Sequence, residues 1–350
     1  MYKELEQIYK TLQDEESKMI FRQRLLFGLT GDLNYMKDML LYYRRENKGY
    51  TDILDVLANP EPFRGKEIIL FGTGVWSRPV KIWLDLCGLE ISFLCDNNPQ
   101  KHGKERYGKK ILSPNQLFEE HKDAVVFIAS EVYEKEILAQ LLGNQFADER
   151  IIRIGFEHEE LYMDNSIVKP QKEEIFIDGG CFDADTSLQF IDWAGGKVKK
   201  IYAFEPDPIN YKMCEESFNE KCKVEWQLEP AGLWSEKTVL SFKDSGSASS
   251  AFNAEGTIKV PTASIDEVVG DDKVTFIKMD VEGAELEALK GAANTIKKNK
   301  PRLAICVYHK PEDIVDIPKY IKELVPEYKL YLRHYYPFVY DTVLYAVLDE

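Results

Sequence analysis

Three groups of residues in this chain have types and spacing that suit chemistry. The first is Asp178-Gly179-Gly180-Cys181-Phe182-Asp183-Ala184-Asp185-Thr186. It follows the apolar run EIFI and precedes a helical pattern, so it is predicted to be a strand-to-helix turn. Glycine at such a turn lets the backbone come close to a ligand. Glu205-Pro206 ends the next predicted strand, IYAF. An acid at that place accepts hydrogen bonds from ribose hydroxyls, so the expected ligand contains a nucleoside. Asp178 and Asp183 add negative charge to the turn, which opposes a pyrophosphate and suits a cation or amine. S-adenosylmethionine carries a sulfonium and an ammonium group and meets both conditions. A bare strand-helix turn is the bland alternative, and the placed Glu205 counts against it.

The second group is Lys278-Met279-Asp280-Val281-Glu282-Gly283, at the end of the buried run VTFI. Acids at the carboxyl end of a central strand stand over the ligand crevice of a doubly wound sheet. Glu282 is equally well placed as a first-turn acid of the helix that follows. The third group, Tyr308-His309-Lys310, follows the run RLAICV and is expected on the same rim as Asp280. Asp280, Glu282 and His309 are the catalytic candidates. Asp280 or His309 can take a hydroxyl proton. Alternatively, the three can hold a magnesium ion that lowers the pKa of that hydroxyl.

Four blocks, IFIDGGCFDADTSLQF, IYAFEPDP, VTFIKMDVEGAELEALKGA and VYHKPEDIVDIP, together resemble the FkbM-type methyltransferase domain over residues 173–350. The resemblance implies a class I S-adenosylmethionine fold. It also implies O-methylation, often of a sugar or secondary-metabolite hydroxyl. Asp178, Gly179, Gly180, Cys181, Phe182, Asp183, Asp185, Thr186, Glu205 and Pro206 are the expected cofactor residues. One departure is Ala184, where the family often has glycine; alanine is small enough for cofactor binding to survive.

The elements that must position these groups follow from hydrophobic periodicity. Residues 1–58 read as a small helical segment without chemistry of its own. Residues 59–157 alternate strand and helix through EIILFGTG, ISFLCDN, AVVFIAS and IIRIG, which predicts a Rossmann-like domain. It resembles the Rossmann-like domains attached to polysaccharide-modifying enzymes. Its Gly72-Thr73-Gly74 turn and Asp96 are a weak nucleotide signature. Charged residues 158–172, with Pro170, read as a linker. The alternation then restarts over 173–350 and ends in an antiparallel pair, YKLYLRHY and TVLYAVL. The expected fold class is therefore α/β, with two doubly wound Rossmann-like domains and a helical N-terminal segment.

A net charge of −15 argues against a nucleic-acid partner. No apolar run reaches membrane-span length, and Met1 to Lys18 has no signal-peptide core, so a cytoplasmic protein is expected. The six cysteines form no CxxC pair, which argues against zinc. The expected partner is a small-molecule or carbohydrate acceptor. Two rival readings rest on the first sheet. One is an NAD(P)- or nucleotide-sugar-dependent enzyme using Gly72, Gly74 and Asp96; the other is a non-catalytic nucleotide-binding module.

Overall fold

The computed structural model describes residues 2–45, 48–154, 161–242 and 258–349. Contacts divide the chain into two units. One comprises Thr30–Glu157 with Tyr336–Phe338; the other comprises Met1–Leu29, His158–Tyr335 and Val339–Glu350.

The first unit holds strands β1 (Thr51–Asp52), β2 (Ile68–Phe71), β3 (Phe93–Cys95), β4 (Glu105–Arg106), β5 (Lys109–Leu112), β6 (Val125–Ile128) and β7 (Ile151–Arg153). They form one sheet in the order β1-β7-β6-β2-β3-β5-β4. All pairs are parallel except β4 with β5. Every residue of β2 and β6 is buried, as near-continuous apolar central strands of a parallel sheet require. The core includes Ile69, Phe71, Val126, Ile128 and Leu141. Apolar runs marked β2, β3, β6 and β7 in the sequence. Strands β1, β4 and β5 are two to four residues long and carry too little pattern to be read. The β4–β5 hairpin turns on Tyr107 and Gly108, both at positive φ, the backbone handedness that two-residue hairpins favour.

The second unit holds β8 (Glu174–Gly179), β9 (Val198–Phe204), β10 (Glu225–Glu229), β11 (Gly232–Leu233), β12 (Val239–Phe242), β13 (Ile258–Ala263), β14 (Phe276–Met279), β15 (Arg302–Cys306), β16 (Lys329–His334) and β17 (Thr342–Val347). Its main sheet runs β10-β9-β8-β14-β15-β17-β16, and β11, β13 and β12 form a small second sheet. The first five strands are parallel. Strand β17 is antiparallel to both neighbours, so β16 and β17 are the closing pair read from the sequence. Strand order reverses between β8 and β14, which makes the gap above their carboxyl ends the switch point of this sheet. Phe176 of β8 stacks on Phe190 with ring centroids 4.0 Å apart, and Phe276 of β14 meets both rings edge-on. This packing lies beneath the switch point and ties β8, β14 and the helix Asp185–Trp193 together.

The expected helical segment 1–58 is divided between the units rather than standing alone. Its first part covers the edge of β16. Leu12 bridges Leu330, Ser17 Oγ accepts the Leu332 N–H at 2.8 Å, and Arg333 Nη2 pairs with Asp14 Oδ2 at 2.8 Å. An uncovered edge strand would present unpaired backbone groups, which explains why this segment belongs to the distant C-terminal sheet. The expected linker 158–172 likewise contains core residues of the second unit: Tyr162, Met163 and Val168 are buried. The first residues of that stretch, 158–160, lie outside the described residues together with 155–157 before them, as does the Gly/Ser-rich segment with Ser247–Ser250. No helix among the described residues is long and apolar enough to cross a membrane.

Candidate active site

The turn after β8 is held by its own chain. Gly180 sits at φ +76°, and a Cβ there would lie 2.0 Å from the Asp280 carbonyl oxygen. Glycine is therefore required by the close approach of the β14 end, in addition to any ligand. Asp178 departs from the expectation of a ligand-facing acid. It is fully buried, with Lys278 Nζ 3.0 Å from Oδ1 and the Ser187 hydroxyl donating to Oδ2 at 2.7 Å. Lys278 also donates to the carbonyls of Gly179 and Gly180, at 3.2 and 2.8 Å. This buried ammonium offsets the charge of Asp178 and pins the turn to β14. Burial opposes the charge on Lys278, but Asp178 and Asp280 outweigh it and raise the pKa of the ammonium.

Beyond Gly180 the expected cofactor residues take different positions. Cys181 is buried with its Sγ 3.3 Å from that of Cys214. Phe182 is exposed, at φ +52°, and its N–H donates to Glu205 Oε2 at 3.0 Å. Asp183 accepts the Asp185 N–H at 3.1 Å, and Asp185 opens the helix that contains the half-buried Thr186. Glu205 follows β9, with Oε1 accepting the Asp207 N–H at 2.9 Å, and Pro206 is half-buried beside it. Burial raises the Glu205 pKa against the pull of those backbone donors. The Asn210 side chain also donates to this carboxylate, which has no cationic partner among these contacts.

Asp280, Glu282 and His309 meet on the rim, as their strand ends suggest. His309 Nε2 lies 3.4 Å from Asp280 Oδ1 and 3.6 Å from Glu282 Oε2. Asp280 accepts the hydroxyls of Tyr162 at 2.8 Å and Tyr308 at 3.0 Å. Burial raises its pKa, but Lys278, His309 and the two hydroxyls more than reverse this. Glu282 sits at φ +55° with its side chain about half exposed. Burial, opposed by His309, still pushes its carboxyl up to about 7.

Two residues of this cluster had no clear sequence signal. Tyr162 lies in the charged stretch read as a linker. Glu285, a helix-start acid by pattern, has 0% side-chain exposure and lies 2.8 Å from His309 Nδ1. It also accepts the Val281 N–H at 2.9 Å. The Nδ1 approach is off the ring N–H direction, so the contact is an ion pair and not an aligned hydrogen bond. Burial lowers the His309 pKa, but Glu285, Asp280 and Glu282 raise it to about 9 overall. With no ion bound, the three carboxylates therefore favour the protonated ring.

Residues 178–332 match the family model of the methyltransferase FkbM domain, and residues 64–152 match that of the C2185-like N-terminal family. By that match and its strand order, the C-terminal unit has a methyltransferase-type fold. Among individual proteins, the chain is similar to the hexuronic acid methyltransferase AglP of Haloferax volcanii. The two are 31% identical over 129 residues, 35% of this chain and 53% of AglP. The chain thus spans about half the length of that curated relative. In overall fold it is similar to the crystal structure of methyltransferase FkbM from Methylobacillus flagellatus. That match has a TM-score of 0.52 at 18% identity and covers 92% of this chain and all of the other.

Proposed function

We propose that the protein transfers a methyl group from S-adenosylmethionine to a hydroxyl of a sugar, a polysaccharide precursor or a related small molecule. The observation that carries this reading is the juxtaposition at the second switch point. A pinned glycine turn and Glu205, an acid with no cationic partner among its contacts, face one side, and the Asp280–Glu282–His309 rim stands on the other. Glu205 would hold the ribose hydroxyls, and the exposed Phe182 would cover the adenosine. The sulfonium is a good leaving group, so the protein's main task is to hold the acceptor oxygen in line with the methyl. The hydroxyl proton passes to a rim carboxylate. Glu282 is the better placed, because Asp280 is already occupied by two tyrosine hydroxyls. Magnesium on the rim is the other way to activate that hydroxyl. The likeness to AglP supports a carbohydrate acceptor, with uronic acids as the first class to examine.

The test is incubation of the full chain with S-adenosylmethionine and a panel of uronic-acid and neutral sugars. A mass gain of one methyl group on a sugar, with release of S-adenosylhomocysteine, is expected. Failure to bind S-adenosylmethionine at all would refute the reading.

A further inference from the structure

We infer that Asp280, Glu285 and His309 form a binding site for one divalent metal ion. This deepens the proposed methyltransferase reading and rests on it for its purpose, though not for its geometry. One ligand atom from each of these three residues lies within 4.8 Å of the other two. An ion about 2.1 Å from its ligands sets neighbouring ligand atoms roughly 3 Å apart and opposite ones roughly 4 Å apart. Side-chain adjustments of about an ångström would close the cluster on an ion of that size.

A second observation points to a ligand here. Glu285 is fully buried, yet its Oε2 has no hydrogen-bond partner, and the His309 Nδ1 beside it makes no aligned one. A buried carboxylate oxygen left without a partner is costly, and a metal ion satisfies it. The local charge agrees. Three carboxylates, Asp280, Glu282 and Glu285, surround one imidazole. Lys278 is already committed to Asp178. Glu282 stands outside the three-residue cluster with its side chain 48% exposed, which leaves it free to meet an acceptor.

Two carboxylates and one imidazole suit magnesium or manganese better than a thiophilic metal. Such an ion keeps several water positions, and an acceptor hydroxyl can replace one of them beside the cofactor methyl. Glu285 is then the residue that distinguishes this site from one built on Glu282.

The experiment uses the full chain, stripped with chelator and titrated with manganese alone while free ion is followed by electron paramagnetic resonance. One ion per native chain is expected. Glu285→Gln, which can keep the bond from Val281, should weaken binding at least tenfold with S-adenosylmethionine affinity within a few-fold of the parent. If that variant does not fold, His309→Gln gives the same reading. A native chain that binds no manganese at millimolar concentration overturns the site, as does undiminished binding in a folded variant. Ion binding without methyl transfer to any acceptor supports this inference and counts against the methyltransferase reading. Chelator-indifferent methyl transfer with no bound ion does the reverse.

Discussion

The two sheets solve the same geometric problem and then diverge in what they leave free. Each has a glycine at positive φ just past the first strand of its switch point. A Cβ on Gly72 would lie 2.7 Å from the Ala129 carbonyl, and one on Gly180 would lie 2.0 Å from that of Asp280. Each also places an acid after the next strand. Asp96 is used up by its own chain: it accepts from the Thr73 N–H at 3.0 Å, the Thr73 hydroxyl, the Asn98 N–H at 2.9 Å and Lys101 Nζ at 2.9 Å. Glu205 takes two backbone N–H groups and the Asn210 side chain, but no cation. The shared glycine therefore marks a fold requirement. The acid without a cationic partner is the one proposed above to meet the cofactor. That contrast favours a structural role for the first sheet and weakens the rival reading in which Asp96 binds a nucleotide.

The largest expected effect tests the shared device. Gly180→Ala combines a positive-φ penalty with a backbone clash, and should cost about 3 kcal/mol or more. Gly72→Ala meets a looser contact and should cost less. Urea denaturation of both variants measures this. Equal, small losses would mean that the approach of neighbouring strands does not dictate these glycines, and a ligand-based explanation would return.

Next in size is the chemistry that only the second sheet carries. Glu282→Gln, which removes the proposed base, and Asp280→Asn, which removes its neighbouring carboxylate, should lower the methylation rate at least ~10²-fold, about 2.7 kcal/mol of transition-state stabilisation, with cofactor affinity within a few-fold. Near-parent rates in both would make the rim structural.

The contrast between the sheets was only partly visible in the sequence. Apolar runs and Gly turns revealed four of the strands of the first sheet and the order of elements in the second, because buried parallel strands are nearly continuous in apolar residues. Asp280, Glu282 and His309 could be paired in advance because strand ends on one sheet edge must be neighbours. Tyr162 and Glu285 were hidden for a different reason. Each reaches the rim through tertiary packing, and nothing in local periodicity separates a buried helix-start glutamate from a solvated one. The charge on Asp178 also misled, since its neutralising partner Lys278 lies a hundred residues away in sequence. The attachment of Leu12, Asp14 and Ser17 to β16 is equally non-local.

The two acids should also titrate with opposite sign. Burial would raise the Asp96 pKa, but donors from Thr73, Asn98 and Lys101 lower it overall. Its contribution is present above the unfolded value of 3.8 and is lost as pH falls through the depressed folded value. Glu205 is raised above 4.5, so its stability contribution is present below that value and is lost as pH rises through the folded one. At neutral pH, Asp96→Asn should therefore cost about 1–3 kcal/mol of stability. Glu205→Gln keeps an acceptor for only one of the two backbone donors but relieves a buried charge, so it should cost less stability than Asp96→Asn, while weakening S-adenosylmethionine by about 1–3 kcal/mol. Urea midpoints at neutral and acid pH, with calorimetric cofactor titration, read both. Matching behaviour in the two variants would erase the distinction between a structural and a ligand-binding acid.

The smallest effect concerns Ala184, which stands at φ +70° just before the helix Asp185–Trp193. A left-handed alanine is disfavoured by roughly 1–2 kcal/mol, so glycine would relieve strain there. Two terms oppose that gain. The Ala184 methyl is fully buried, and removing it forfeits about 0.8 kcal/mol. Glycine also loses more backbone freedom on folding, by roughly 0.5–1 kcal/mol. The terms nearly cancel, so Ala184→Gly should shift stability by less than about 1 kcal/mol and leave S-adenosylmethionine affinity within a few-fold. Ala184→Val is the informative partner. A β-branched side chain is a true outlier at positive φ, and here it must also enter a filled space, so a loss above about 2 kcal/mol is expected. A glycine variant that binds the cofactor more than tenfold tighter would show that strain at this turn is set by the ligand site and not by the packing of β8 against β14.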